Sequence, residues 1–288
     1  MYTKNSLSHR TKEPESGVLY IVGTPIGNLN DLSPRAKNIL ENVSLIVCED
    51  TRQTKKIMNK FCMSNNLISF NKYNSTNKIP KIIIELKGGK SVALVSDAGM
   101  PIICDPGLEL VKETRVNEID IICIPGPCAA TTALVTSGMP SCRFVFEGFL
   151  PKKQAEREKI LLEISRNEKT TILFESPHRI NKLLNELKEY CGGEREIQVS
   201  RELTKKFEEN IVSNIDKVIH LFKNRDIKGE FTIVIKGVIN SGETEFDSSY
   251  IKKELQELIN AGLSVSAAAK YLAKKKKIPK NIIYNLYL

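Results

Sequence analysis

The chain has 288 residues, is 41% hydrophobic and 27% charged, and carries a net charge of +9. That is enough apolar material for one large core or two medium ones. No apolar run reaches the ~18 residues of a membrane span, and the polar N-terminal stretch lacks the apolar segment of a signal peptide. Seven cysteines, scattered and without a C-x-x-C pair, argue against a zinc site or a disulfide framework and for a reduced, cytoplasmic protein. The basic excess favours a polyanionic partner, nucleic acid first, although a Lys-, Ile- and Asn-rich composition contributes to it.

Residues 18–22 are a short apolar run and read as a buried strand. Ser33-Pro34 then opens a helix to about Asn42, with Ser as the N-cap and Pro at the first helical position. A strand over 44–48 runs into Glu49-Asp-Thr-Arg52 and is followed by a helix to about Phe61. A weaker strand at 67–70, a helix over 79–86 stopped by Gly88-Gly89, and a strand over 92–95 come next. Asp105-Pro106 is expected to cap the following helix, and 119–124 is a further strand. Strands separated by helices of roughly 10–15 residues indicate βαβ units and a mostly parallel sheet.

Pro125-Gly-Pro127 punctuates the chain, with Pro127 placed to open a helix that ends near Gly138. Beyond it, strands are expected over 143–149, 171–174, 197–200 and 231–236, and helices over 152–166, 177–190 and 213–223. This looser order predicts a second α/β domain with a mixed sheet. Residues 240–247 read as a linker, and 248–288 as a helical tail broken at Gly262 that holds four consecutive lysines, Lys274 to Lys277. The expected organisation is a flexible tail (1–16), an N-terminal α/β domain (17–124), a C-terminal α/β domain (125–240) and the helical tail (248–288).

Ligands of open parallel sheets bind at the carboxyl ends of the strands. Three punctuated loops fall there: Gly23-Thr-Pro-Ile-Gly-Asn-Leu29, Ser96-Asp-Ala-Gly-Met-Pro101 and Pro125-Gly-Pro-Cys-Ala-Ala130. The first is neither G-x-G-x-x-G nor a P-loop. In the second, Gly99 has no Cβ to hold a ligand off the backbone, and Asp97 can accept from hydroxyls or an amine. Each loop alone could be an ordinary βα turn; three at successive strand ends point to one crevice. Glu49 to Arg52 serve either substrate positioning and proton handling or simply the N-cap of the next helix. His178 and Arg179 are expected in the first turn of a helix, where cations oppose the helix dipole, so an anionic substrate group is the better account of them. Arg201-Glu-Leu-Thr-Lys-Lys206 gathers charge just after a strand, as a solvated hairpin or as a functional loop.

In this order, the segments 23–29, 49–52, 96–101, 105–107, 125–129, 174–179 and 201–205 resemble the bacterial small-subunit rRNA 2′-O-ribose methyltransferase I family, a branch of the tetrapyrrole methylase superfamily. The resemblance runs from about Gly17 to Leu288. It implies a two-domain α/β fold with S-adenosyl-L-methionine (SAM) between the domains, and a homodimer. The implied reaction is methylation of the 2′-hydroxyl of cytidine 1402 in the 16S rRNA of the small ribosomal subunit, with no metal. On the matching positions, Pro25, Asp97, Ala98, Gly99, Met100, Pro101 and Ile103 would hold SAM, joined by Cys128, Ala129 and Ala130 from the second SAM loop. Met100 stands where this branch often has Thr. Glu49, Asp50 and Glu175 are the candidate bases, and Arg52, His178, Arg179, Arg201 and Lys205 the candidate RNA contacts. Two other readings are a methylase of a precorrin-type tetrapyrrole, against which the charge and the motifs at 49–52 and 174–179 argue, and a non-catalytic RNA-binding protein using the basic tail.

Overall fold

A computed structural model describes residues 12–223, 225–238, 248–276, 283–284 and 286–287. One compact unit runs to Val238 and the C-terminal helices form a second. In the first unit, β1 (Leu19–Val22), β2 (Leu45–Cys48), β3 (Leu67–Ser69), β4 (Val92–Val95) and β5 (Ile121–Ile124) make a sheet in the order β3-β2-β4-β1-β5. All its pairings are parallel. The three central strands are near-continuous apolar runs because both faces are covered. Tyr20, Val22, Ile46 and Val95 pack on one side with α1 (Pro34–Asn42) and α2 (Thr51–Lys60). Leu19, Ile21, Val47 and Leu94 pack on the other with α3 (Ser75–Lys87) and α4 (Leu108–Val116). Alternate residues thus serve opposite faces, as the two-residue period of a strand requires.

The chain leaves β1 towards β2 over the face covered by α1 and leaves β4 towards β5 over the face covered by α4, so the connection direction reverses between these two neighbouring strands. Ligand crevices form at the carboxyl ends of strands at such a reversal.

The second sheet follows the order β6-β7-β10-β8-β9. It contains β6 (Phe144–Phe149), β7 (Thr170–Glu175), β8 (Glu196–Arg201), β9 (Glu209–Asn214) and β10 (Phe231–Ile235). β6 and β7 are parallel, and the other pairings antiparallel. α6 (Gln154–Arg166), α7 (Ile180–Cys191) and α8 (Ile215–Phe222) bury one face. α5 (Ala129–Ser137) covers the other, placing Ala130, Ala133 and Leu134 on Ile172 and Val234. In the C-terminal unit, α9 (Ser248–Asn260) and α10 (Val265–Lys276) meet through Ile251, Leu255, Ala268, Ala269 and Leu272.

The parallel first sheet, the mixed second sheet and the C-terminal helices agree with the expected α/β class. Several local expectations need correction. Asp105-Pro106 does not cap α4, which begins at Leu108 behind Gly107 with no side-chain cap. Pro127 lies before the cap of α5, whose N-cap is Cys128. Helix α7 starts at Ile180 rather than Pro177, leaving His178 in a turn and Arg179 at the N-cap. Strand β9 was not expected: its polar edge pattern, with only Ile211 and Val212 apolar, reads as loop, and it displaces the start of the next helix to Ile215.

Of the N-terminal stretch expected to be a flexible tail, residues 1–11 lie outside the described residues, and 12–16 are tied down. Glu13 takes a paired hydrogen bond from Arg35 (2.6 and 2.7 Å), its carbonyl accepts from Asn38, and the Glu15 N–H donates to the Tyr20 hydroxyl (2.7 Å). The linker at 240–247 lies outside the described residues, as does Lys277. Among the described residues no helix is long and apolar enough to cross a membrane.

Candidate active-site cleft

Three loops build one wall of a cleft. The loops after β1 and β4 pair as a short antiparallel bridge: the Thr24 N–H donates to the Gly99 carbonyl (2.8 Å) and the Gly99 N–H to the Thr24 carbonyl (3.1 Å). The loop after β5 crosses the loop after β1 glycine on glycine. A Cβ placed on Gly126 would lie 2.7 Å from the Gly23 Cα, and one placed on Gly23 would meet the Met100 Sδ at 2.6 Å. The opposite wall comes from the second sheet: Phe149 ending β6, Phe174 to Pro177 around the end of β7, and Glu230 to Thr232 opening β10. Between the walls is a cleft of about 300 Å³, of small-ligand size.

Six of the ten residues expected to hold a cofactor line this cleft: Ala98, Gly99, Met100, Ile103, Cys128 and Ala129. Pro25, Pro101 and Ala130 are buried and do not reach it. Asp97 is half-buried beside it, and one of its carboxylate oxygens accepts the Asp50 N–H (2.9 Å), tying the loop after β4 to the loop after β2. Ile26, Cys104, Asp105, Phe149 and Phe231 also line the cleft. None is among the residues expected to hold the cofactor, although Ile26 lies in the first ligand loop and Asp105 in the motif at 105–107. Asp105 carries the signal, a polar residue just past a ligand loop, but its place before Pro106 reads as a helix cap. The segment that carries it is strained: Ile102 (φ 77°) and Cys104 (φ 68°) join Gly99 and Gly107 in the positive-φ region. For side chains with a Cβ this costs about 1–3 kcal/mol each and recurs where a ligand site demands it.

Burial pushes the carboxyls of Glu49, Asp97 and Asp105 above their usual range, and each feels the negative charge of neighbouring carboxylates. Asp50 is the opposite case. Arg52 bonds it through side chain and backbone and draws it down to about 2, while the Asp50 carboxylate also accepts the Arg52 N–H (2.8 Å) as the N-cap of α2. A carboxyl that is more basic in the folded chain than in the unfolded one makes the native state hold protons longer, so its contribution to stability falls as pH rises. Asp105→Asn is therefore expected to raise Tm at pH 7, with the gain shrinking as pH falls through the carboxylate range. Asp50→Asn is expected to lower Tm at pH 7, with the loss shrinking as pH falls toward about 2. Thermal melts across pH read both signs.

Glu175 is not open to a substrate. Its side chain is fully buried, one oxygen accepting from the Ser176 N–H (2.8 Å) and the Arg179 Nε (2.8 Å), with a second Arg179 nitrogen in ion-pair contact at 2.7 Å, and the other oxygen facing Arg157 at 3.7 Å. Arg201 donates to the Lys228 carbonyl (2.7 Å). Burial lowers Lys205, but hydrogen bonds to Glu202 (2.9 Å) and Glu230 (3.0 Å) outweigh that and hold its ammonium above the usual range. His178 is exposed in the turn after β7. No group of three or more His, Cys, Asp or Glu among the described residues could hold a metal ion.

The sequence profile of the tetrapyrrole (corrin/porphyrin) methylases matches residues 18–219. The chain belongs to that family. It is 40% identical over 272 residues to a Synechocystis protein called ribosomal RNA small subunit methyltransferase I, covering 94% of this chain and 98% of the relative. A Bacillus subtilis protein of the same name is 39% identical over 277 residues, covering 95% of this chain and 94% of the relative. The chain is thus a methyltransferase of the small-subunit rRNA branch. Among solved structures, a uroporphyrin-III-C-methyltransferase from Thermus thermophilus superposes with a TM-score of 0.53 at 17% identity, covering 76% of this chain and 94% of that one. A cobalt precorrin-4 methyltransferase superposes with a TM-score of 0.56 at 14% identity, covering 76% and 95%. At such identities the two structures establish the fold.

Proposed function

We propose that the chain transfers the methyl group of SAM to the 2′-hydroxyl of cytidine 1402 in 16S rRNA. The observation that carries this reading is the cleft where the loops after β1, β4 and β5 cross, at the strand ends of a family fold whose relatives act on small-subunit rRNA. Its lining suits SAM. Ala98 and Gly99 offer backbone groups, Ile26, Met100 and Phe231 offer apolar walls, and Asp105 in the lining, with Asp97 beside it, supplies negative charge for a cation. SAM supplies an electrophilic methyl on a sulfonium.

The residues of the chain orient the two reactants and exclude water between the sheets. Of the three candidate bases, Asp50 is held ionised and weakly basic by Arg52, and Glu175 is enclosed by Arg179 and Arg157. Glu49, half-buried at the end of β2 and made more basic by burial, is the candidate that remains to take the hydroxyl proton. A homodimer acting in the cytoplasm, where the small ribosomal subunit is assembled, completes the proposal.

Incubation with labelled SAM and small ribosomal subunits is expected to label one ribose, located by mapping the modified nucleotide. Transfer to a precorrin-type tetrapyrrole but not to RNA would decide for the small-molecule reading. For the cofactor site, Gly99→Arg is expected to abolish SAM binding in calorimetry, because Gly99 is buried at φ 80° with Ile26 and Pro127 against it. Asp97→Ala is expected to weaken SAM binding about tenfold, the worth of one hydrogen bond to a charged group. Unchanged affinity in both variants would remove this loop from the site.

A further inference from the structure

The cations expected to contact RNA are mostly answered within the chain: Arg52 by Asp50, Arg179 by Glu175, Lys205 by Glu202 and Glu230. Two loop tips differ. Between β3 and α3, the Asn71 side-chain oxygen accepts the N–H groups of Tyr73 (3.0 Å) and Asn74 (3.2 Å), and the Asn74 side-chain oxygen accepts the Asn71 N–H (2.9 Å). This braced turn leaves Tyr73 98% exposed. Its neighbour Lys72 lines a groove together with Cys104 and Asp105, two residues that also line the cleft. The groove therefore continues the cleft outward.

The second tip lies between β8 and β9. Glu202 (φ 51°) and Thr204 (φ 64°) bend it sharply. The Thr204 N–H donates to Glu208 (2.7 Å), and the Thr204 hydroxyl accepts the Asn28 N–H from the loop after β1 (3.0 Å). Lys205 ties it to Glu230 in the cleft wall. At its end Phe207 is 65% exposed, with the Lys206 ammonium 5.5 Å from the ring centroid. Among the described residues neither Lys72 nor Lys206 has an ion-pair partner.

We propose that Tyr73 with Lys72, and Phe207 with Lys206, are two stacking platforms for unpaired nucleotides of an RNA strand lying across the mouth of the cleft. The proposal rests on the RNA reading above. A ribose buried in a helix cannot enter the cleft, so the substrate must present splayed bases, and these are held by aromatic rings with cations for the adjoining phosphates. Each platform is one ring among polar and charged neighbours, too small an apolar patch for a protein partner. The bracing of both turns limits the entropy lost when a base stacks.

The test uses the full chain, a fluorescein-labelled single-stranded RNA and heparin, a polyanion without bases. Tyr73→Ala and Phe207→Ala are each expected to weaken RNA binding roughly 5- to 100-fold while leaving heparin binding and SAM affinity unchanged. Tyr73→Phe and Phe207→Tyr are expected to keep RNA binding. Lys72→Gln and Lys206→Gln are each expected to lower the slope of log affinity against log salt by about one. RNA binding by the Tyr73→Ala/Phe207→Ala variant equal to that of the parent, or an equal loss towards heparin, overturns the proposal. A parent chain that binds SAM but no RNA overturns the RNA reading, and the platforms with it.

Discussion

Arg157→Met is expected to lower the unfolding free energy by about 3–5 kcal/mol, the usual cost of removing one partner from a buried ion pair. Arg157 is 2% exposed in α6. Its Nε donates to Glu186 of α7 (2.8 Å), a second guanidinium nitrogen is in ion-pair contact with the same carboxylate oxygen at 2.7 Å, and that nitrogen faces the fully buried Glu175 side chain at 3.7 Å. Without it, two carboxylates share a dry space with Arg179 and with Lys182, which stands 3.7 Å from Glu186. Urea unfolding would read the loss as a lower midpoint at unchanged slope. Arg157→Met/Glu186→Leu should recover part of it, since the second change removes an orphaned charge. SAM affinity should fall as well, because Glu175 holds the Ser176 N–H (2.8 Å) and Ser176 lines the cleft. A loss below about 1 kcal/mol would mean that water reaches the pair and that its burial does little for stability.

Gly126→Ala is the second large effect. The added methyl would lie 2.7–2.9 Å from the Gly23 Cα, carbonyl carbon and carbonyl oxygen. Backbone there cannot swing aside as a side chain would. Overpacking of this kind costs about 1–3 kcal/mol, and it also parts the two loops that form the cleft. Gly138→Ala is the matched control: it has open space around it but a φ of +68°, so it should lose only the conformational ~1–2 kcal/mol. Measured side by side, Gly126→Ala is expected to lose both Tm and SAM binding, and Gly138→Ala only Tm. Equal SAM affinity in the two variants would show that the crossing has slack.

Much of the first sheet was legible because its determinants are local. Residues 19–22, 45–48 and 92–95 are unbroken apolar runs, and only a strand covered on both faces suits such a run between helices. Ser33-Pro34 marks the start of α1, where the Ser33 hydroxyl accepts the Ala36 N–H (3.0 Å). The helix starts at 108, 129 and 180 were less legible. Cap-plus-proline patterns at 105–106 and 176–177 compete there with longer-range demands: Asp105 faces the cleft, and Glu175 draws Arg179 back across the turn.

By itself, then, the sequence determined the α/β alternation, the three strand-end loops, and a motif order specific enough to indicate the methyltransferase family. The tertiary structure decided which polar side chains remain available. Glu175, Arg179, Lys205 and Arg201 look like site residues in the sequence, yet partners up to 29 positions away occupy them. Asp105 and the rings of Tyr73 and Phe207 gained their surroundings the same way. Periodicity and capping act over a turn or two of chain. Ion pairing, desolvation and exposure depend on what folding brings alongside, and no local pattern encodes that.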